Sequence, residues 1–73
     1  MGMTLELDID RVKIKLAELE LTGIELARRS GYSEKTISFV LNRGTASPKV
    51  AGAIARGLGL RVEDITLLKG AIA

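Results

Sequence analysis

Three consecutive segments of this 73-residue chain each begin with a hydroxyl side chain and end at a glycine. They run from Thr22 to Gly31, from Ser33 to Gly44 and from Ser47 to Gly59. A hydroxyl accepts a hydrogen bond from the free N–H groups at a helix start, and glycine adopts the left-handed conformation in which many helices end. The pattern therefore predicts three short helices in succession, joined by short turns.

Local signals within these segments support the prediction. Glu25 lies three residues after Thr22, as in a capping box, and Pro48 occupies a first helical position, where its missing N–H costs nothing. Apolar residues recur at three- and four-residue steps, which marks the buried side of each helix. The predicted core positions are Leu26 and Ala27, then Ile37, Val40 and Leu41, then Val50, Ala51, Ile54 and Leu58.

Two more helices are predicted at the two ends of the chain. Asp8 is a plausible N-cap for a first helix, and a short last helix is predicted over residues 62–68. The sequence has no alternating run of β-branched residues, so no strand is predicted. We expect an all-α compact bundle of about five short helices, one domain over residues 1–73 with its core at about 8–68. The apolar stripe of the first helix is Ile9, Val12, Leu16 and Leu19.

The composition excludes several classes of function. The chain has no cysteine and no histidine, so it lacks a disulfide framework, a zinc-finger ligand set and a Ser-His-Asp arrangement. We expect no enzyme activity, no metal or other cofactor and no small-molecule ligand. The longest apolar stretch, Ala51–Leu60, is interrupted by Arg56 and glycines, which argues against a membrane span. We expect a cytoplasmic protein.

Charge is distributed unevenly along the chain. The formal net charge is only +2, but residues 1–27 carry −3 and residues 28–56 carry +5. A basic middle between neutral or acidic ends is typical of a surface that binds a polyanion. A solvated helical face on which basic residues cluster would show the same pattern, so both interpretations remain open at this point.

The segment Gly23–Asn42 combines these signals in the pattern of a helix-turn-helix, two helices joined by a turn of about three residues that contains glycine. Ala27 is predicted where the two helices cross, because a larger side chain would hold them apart. Gly31 is predicted to form the turn, and the Ile37 side chain is predicted to face the crossing of the two helices. Agreement between capping, turn and apolar periodicity is stronger support than any one of them alone.

On these residues, Thr22–Ile65 resembles the DNA-binding domains of phage repressor and Cro proteins, the XRE-like helix-turn-helix family. The similar stretches are LTGIELARRSGYS, KTISFVLNRG, SPKVAGAIARGLGL and RVEDI. The resemblance implies a lambda-repressor-like bundle that binds double-stranded DNA, most often as a homodimer and as a repressor.

A helix-turn-helix places its second helix, here residues 33–42, in the major groove with the first residues of that helix on base edges. The side of this helix opposite Ile37 and Val40 supplies the candidates. Phe39 could touch a thymine methyl group or a sugar, or could pack on a neighbouring helix or a second copy; Glu34 could simply favour the helix dipole. The predicted base-contacting residues are Ser33, Glu34, Lys35, Ser38 and Phe39.

Phosphate contacts are predicted on both sides of this helix. The first helix of the motif begins with free N–H groups that can bind an anion. The resemblance places further contacts in the loop and helix start after the recognition helix. Each basic residue could instead be a solvated surface charge. The predicted phosphate-contacting residues are Thr22, Gly23, Arg28, Asn42, Arg43, Thr45 and Lys49.

The chain departs from the family pattern at three places. Gly23 stands where glutamine is common, so a side-chain contact is lost. Leu16 and Leu41 stand where many members pair an arginine with a glutamate, which suggests an apolar contact instead of an ion pair. Glycines at 52 and 57 fall inside a predicted helix, where each costs up to about 1 kcal/mol relative to alanine.

The leading hypothesis is a sequence-specific DNA-binding transcriptional regulator that acts as a homodimeric repressor on a two-fold operator. Leu67 and Ile72 are candidates for the dimer contact. A DNA-binding antitoxin is one alternative. A protein-interaction module of antirepressor type, which keeps the bundle without DNA binding, is another, but it would favour an acidic or apolar recognition helix.

Overall fold

A computed structural model describes residues 4–67 of the chain. Five helices form most of this part, as the sequence predicts, and two very short strands accompany them. The elements in chain order are β1 (Leu5–Glu6), α1 (Ile9–Leu19), α2 (Gly23–Ser30), α3 (Glu34–Arg43), β2 (Thr45–Ala46), α4 (Pro48–Leu58) and α5 (Val62–Ile65).

The helix starts coincide with the predicted caps. The side chains of Asp8, Thr22, Ser33 and Ser47 each accept a hydrogen bond from the backbone N–H three residues later. These bonds satisfy donors that the helical ladder leaves free. Pro48 is the first residue of α4, as predicted.

The helix ends also follow the predicted glycines. Gly31, Gly44 and Gly59 all have positive φ and directly follow α2, α3 and α4. Helix α1 ends differently, at Glu20, which takes the left-handed conformation with φ of 55°. Because this residue is a glutamate, the sequence carries no glycine signal for the end of α1. A residue with a Cβ is strained in this conformation.

The prediction that the chain has no strand is wrong. Strand β1 pairs antiparallel with β2, with Leu5 opposite Ala46 and Glu6 opposite Thr45. The backbone of Leu7 forms an isolated bridge with Thr66. The prediction failed because its criterion for a strand was an alternating run of β-branched residues. Residues 5–8 alternate instead between leucine and an acidic residue. Leu7 is buried in the core.

The segment around β1 holds together two distant parts of the chain. The Leu7 N–H donates to the Gly44 carbonyl at 2.8 Å, and the Asp8 N–H donates to the Ile65 carbonyl at 2.7 Å. The Leu67 N–H donates to the Glu6 carbonyl at 2.8 Å. Residues 6–8 are therefore fixed on one side to the end of α3 and on the other to the end of α5 and the residues after it.

The hydrophobic core is centred on α4. Its buried residues occupy most of its circumference, because it packs against α2, α5 and β2. The predicted stripe is confirmed at Ala51, Ile54 and Leu58, whereas Val50 is only half-buried. Ile65, predicted to be buried in the last helix, is also buried. Buried residues that the prediction missed are Leu7, Ala46, Ala53 and Ala55.

Two details of the predicted first and last helices need correction. Helix α5 ends at Ile65 instead of residue 68, because Thr66 is extended and pairs with Leu7. Leu68 and Ile72 lie outside the described residues. Leu19, predicted to be apolar core, is 40% exposed at the last turn of α1.

Gly57 lies at the closest approach of α4 to α2. A Cβ atom built on it would lie 3.3 Å from the Cβ of Arg29 and 3.4 Å from Cδ1 of Leu26. The Arg29 guanidinium also donates to the Gly57 carbonyl at 3.4 Å. The sequence suggested only a loss of helix stability at this glycine, whereas the structure shows that it allows two helices to pack closely.

Candidate nucleic-acid interface

Helices α2 and α3 are joined by a short turn whose geometry depends on Gly31. Its φ is 82°, in the left-handed region. The N–H groups of Gly31 and Tyr32 both donate to the Ala27 carbonyl, at 2.9 and 3.2 Å. Ala27 itself is buried, as the crossing requires. The predicted turn is confirmed, and it directs α3 across α2.

Helix α3 has one buried side and one open side. Ile37 and Val40 are buried in the core, and Leu41 packs against it as a half-buried residue. The opposite side forms a shallow surface depression that we call the recognition face. It is lined by Glu34, Lys35, Ser38, Phe39 and Asn42.

Four of the five predicted base-contacting residues lie on the recognition face, and Ser33 does not. The Ser33 hydroxyl accepts from the Thr36 N–H at 3.1 Å and donates to the Thr36 hydroxyl at 2.9 Å. The hydroxyl proton of Ser33 is therefore used within the first turn of α3, and one lone pair of the hydroxyl oxygen remains for any other contact. Asn42, predicted as a phosphate contact, lies on the recognition face with the base-contacting candidates.

Phe39 is 58% exposed on this face. The prediction that it lies on the solvent side of α3 is therefore confirmed. The guanidinium carbon of Arg43, one helical turn later, lies over the ring at 5.1 Å from its centroid. This distance is within the range of a cation–π interaction.

The predicted phosphate-contacting residues lie before α3 in the chain, at its end and after it. Thr22 caps α2 through the Glu25 N–H at 3.2 Å, and Gly23 is the first residue of that helix. Gly23 is exposed, and apart from its chain neighbours and its own helix backbone no atom lies within 4 Å of a Cβ built on it. Arg28 is exposed further along α2. Arg43 ends α3, Thr45 lies half-buried in β2, and Lys49 is exposed in the first turn of α4.

Two basic residues of the positive segment interact with the end of α4. Arg29 contacts the carbonyl of Gly57, and Arg56 lies in the last turn of α4, where a cation is favoured by the helix dipole. The ion pairs among residues 4–67 are Lys15 with Glu18 and Arg61 with Glu63. Within that part of the chain, four bases around α3 are thus without an acidic partner: Arg28, Lys35, Arg43 and Lys49.

Leu16 and Leu41 both pack as half-buried residues against the same hydrophobic core. The apolar replacement suggested for this pair of positions is compatible with that placement. An arginine and a glutamate would each need a partner there, whereas two leucines do not.

A capped helix, a glycine turn and a second helix with an open polar face define a helix-turn-helix domain. Comparison with protein-family models matches the helix-turn-helix family over residues 12–65, about three quarters of the chain. The chain belongs to this family, of the XRE type. No curated protein and no solved structure matches it.

Membership confirms the predicted fold class and the broad class of function, a DNA-binding transcription regulator. The family is a regulatory one and is not typically enzymatic. Within residues 4–67, no helix is both long and apolar enough to span a membrane.

Proposed function

We propose that this chain is a sequence-specific regulator that places α3 in the major groove of double-stranded DNA and acts as a homodimeric repressor in the cytoplasm. The observation that carries the proposal is the recognition face. It combines a donor cation, an acceptor carboxylate, a hydroxyl and an amide, which are the groups that discriminate base edges. Lys35 can donate to guanine and Glu34 can accept from cytosine.

The flanking groups would hold the domain on the backbone. Thr22 and the N–H groups that follow it lie at the start of α2, and Lys49 lies in the first turn of α4. Contacts to phosphate fix orientation without carrying sequence information. The expected set in α2 and its cap is Thr22, Gly23 and Arg28; at the end of α3 and beyond it the set is Asn42, Arg43, Thr45 and Lys49.

The size of one domain supports dimerisation on DNA. A module of this size buries about 600–1,000 Å² on DNA, which is little for tight operator binding. Two copies on a two-fold site would double the contacts. Leu67, 42% exposed beside β1, is the described candidate for the dimer contact. The repressor role is supported by the resemblance to phage repressors.

A salt titration of a fluorescent mixed-sequence duplex with the full chain tests the proposal. With about 4–6 phosphates neutralised per subunit, log K should fall with log salt at a slope of about −4 to −5 for one bound subunit and about −7 to −11 for a bound dimer. Lys49→Ala should make the slope shallower by about 1 per subunit. Lys13→Ala is the matched control, because Lys13 is an exposed lysine on α1.

Two outcomes would contradict the proposal. Absence of binding at low salt would favour the protein-interaction module over the DNA-binding regulator. Equal effects of Lys49→Ala and Lys13→Ala would mean that binding depends on total charge and not on the surface around α3. The antitoxin alternative predicts the same salt slope, together with a stable complex with a second protein.

A further inference from the structure

The recognition face carries one exposed apolar side chain. Phe39 is 58% exposed, and the other residues of the face, Glu34, Lys35, Ser38 and Asn42, are polar or charged. A large aromatic side chain left open to water loses the benefit of burial, so its position on a binding face indicates an apolar group on the ligand.

Arg43 restricts which part of the ring a ligand can reach. Its guanidinium lies over one face of the ring, 5.1 Å from the centroid. This contact uses one face of the ring and leaves the other face and the outer edge open. It also limits rotation of the Phe39 side chain, since moving the ring would break the stack.

Bases offer such a ring very few apolar partners. In the major groove, the C5 methyl group of thymine is the only apolar group on a base edge, and it lies next to the O4 acceptor. A donor such as Lys35 on the same face can hydrogen-bond that neighbouring acceptor. An exposed aromatic ring among polar side chains thus matches the methyl group and its polar neighbour.

We propose that the exposed Phe39 ring, held by Arg43, contacts the 5-methyl group of one thymine in each half of the DNA site and makes that thymine a specificity determinant. Phe39 is the contacting residue and Arg43 is a positioning residue. The inference rests on the proposed function, because it requires α3 to lie in the major groove.

The test uses the tightest duplex that the full chain selects from a random library. Each thymine of that duplex is replaced in turn by deoxyuridine, which removes one methyl group and keeps the base pair. One symmetry-related thymine should show about a four-fold loss of affinity, the factor equivalent to the roughly 0.8 kcal/mol of one buried carbon group. The other replacements should have smaller effects.

Substitutions of Phe39 and Arg43 test whether the Phe39 ring causes the preference for thymine. Phe39→Ala should bind the thymine and uracil duplexes equally, whereas Phe39→Leu should retain part of the preference for thymine. Arg43→Gln should reduce the thymine-to-uracil ratio without abolishing it. Ile14→Ala is the control, because Ile14 is another large exposed apolar residue, 60% exposed on α1 and outside the recognition face.

Several results would overturn the inference while leaving the proposed function intact. The selected site could lack thymine, or the ratio of affinities for the thymine and uracil duplexes could be near one at every thymine. The preference for thymine could persist in Phe39→Ala. Finally, Phe39→Ala could change the oligomeric state and leave the affinity ratio unaltered. The last would assign the ring to a contact between copies. If no duplex is selected at all, the proposed function fails and this inference fails with it.

Discussion

Replacing Gly57 by alanine tests the packing of α2 on α4, which holds the helix-turn-helix in place. The added Cβ would lie 3.3 Å from the Cβ of Arg29 and 3.4 Å from Cδ1 of Leu26. The first of these atoms is attached directly to the α2 backbone, and the second belongs to a fully buried side chain. Neither can move away without displacing α2 or the core.

Gly52→Ala provides a matched control in the same helix. A Cβ on Gly52 would have only an ordinary contact, 3.9 Å from Cγ2 of Val62. Both substitutions gain the helix preference of alanine, about 1 kcal/mol, and both restrict the unfolded chain equally. The difference between the two variants therefore isolates the packing cost at Gly57, which overpacking data place at about 1–3 kcal/mol.

Urea and thermal unfolding followed by circular dichroism measure this difference. Gly52→Ala should raise the free energy of unfolding by about 0.5–1 kcal/mol. Gly57→Ala should lie about 1–3 kcal/mol below Gly52→Ala, with a melting temperature at least about 4 °C lower for a domain of this size. Equal stability of the two variants, or a more stable Gly57→Ala, would refute the close approach of α2 and α4.

Three further predictions concern the ends of the helices and the recognition face. Ser33→Ala should lower the free energy of unfolding by about 1 kcal/mol in a urea titration, because it removes the α3 cap, whereas Ser38→Ala at the exposed side should leave it nearly unchanged. Glu20→Gly should raise the free energy of unfolding by about 1 kcal/mol, because glycine adopts the left-handed conformation without the strain that a Cβ causes. An unchanged free energy of unfolding would argue against the left-handed end of α1. Lys35→Ala should relax base preference at one position by about 1–3 kcal/mol in competition binding, and a uniform loss across sequences would contradict a base contact.

Local chemistry explains why most of the fold could be predicted from the sequence. Caps such as Ser47 with Pro48, and glycine ends such as Gly44, act on neighbouring backbone groups, so their effect is visible within a few residues. The same holds for the exposed side of α3, since Phe39 lies opposite the buried positions of its own helix.

Features that depend on contacts distant in sequence could not be predicted in this way. The pairing of β1 with β2 joins residues about forty positions apart, and each strand has only two residues. The close approach at Gly57 depends on Arg29, which lies in another helix.

Selection of bound sequences from a random duplex library by the full chain tests the central claim most directly, namely that α3 recognises DNA sequence as part of a two-fold dimer. The account predicts enrichment of a palindromic consensus whose half-sites lie about one helical turn, roughly 10 base pairs, apart. An enriched but unsymmetrical site would contradict the dimer, and no enrichment at low salt would contradict sequence recognition itself.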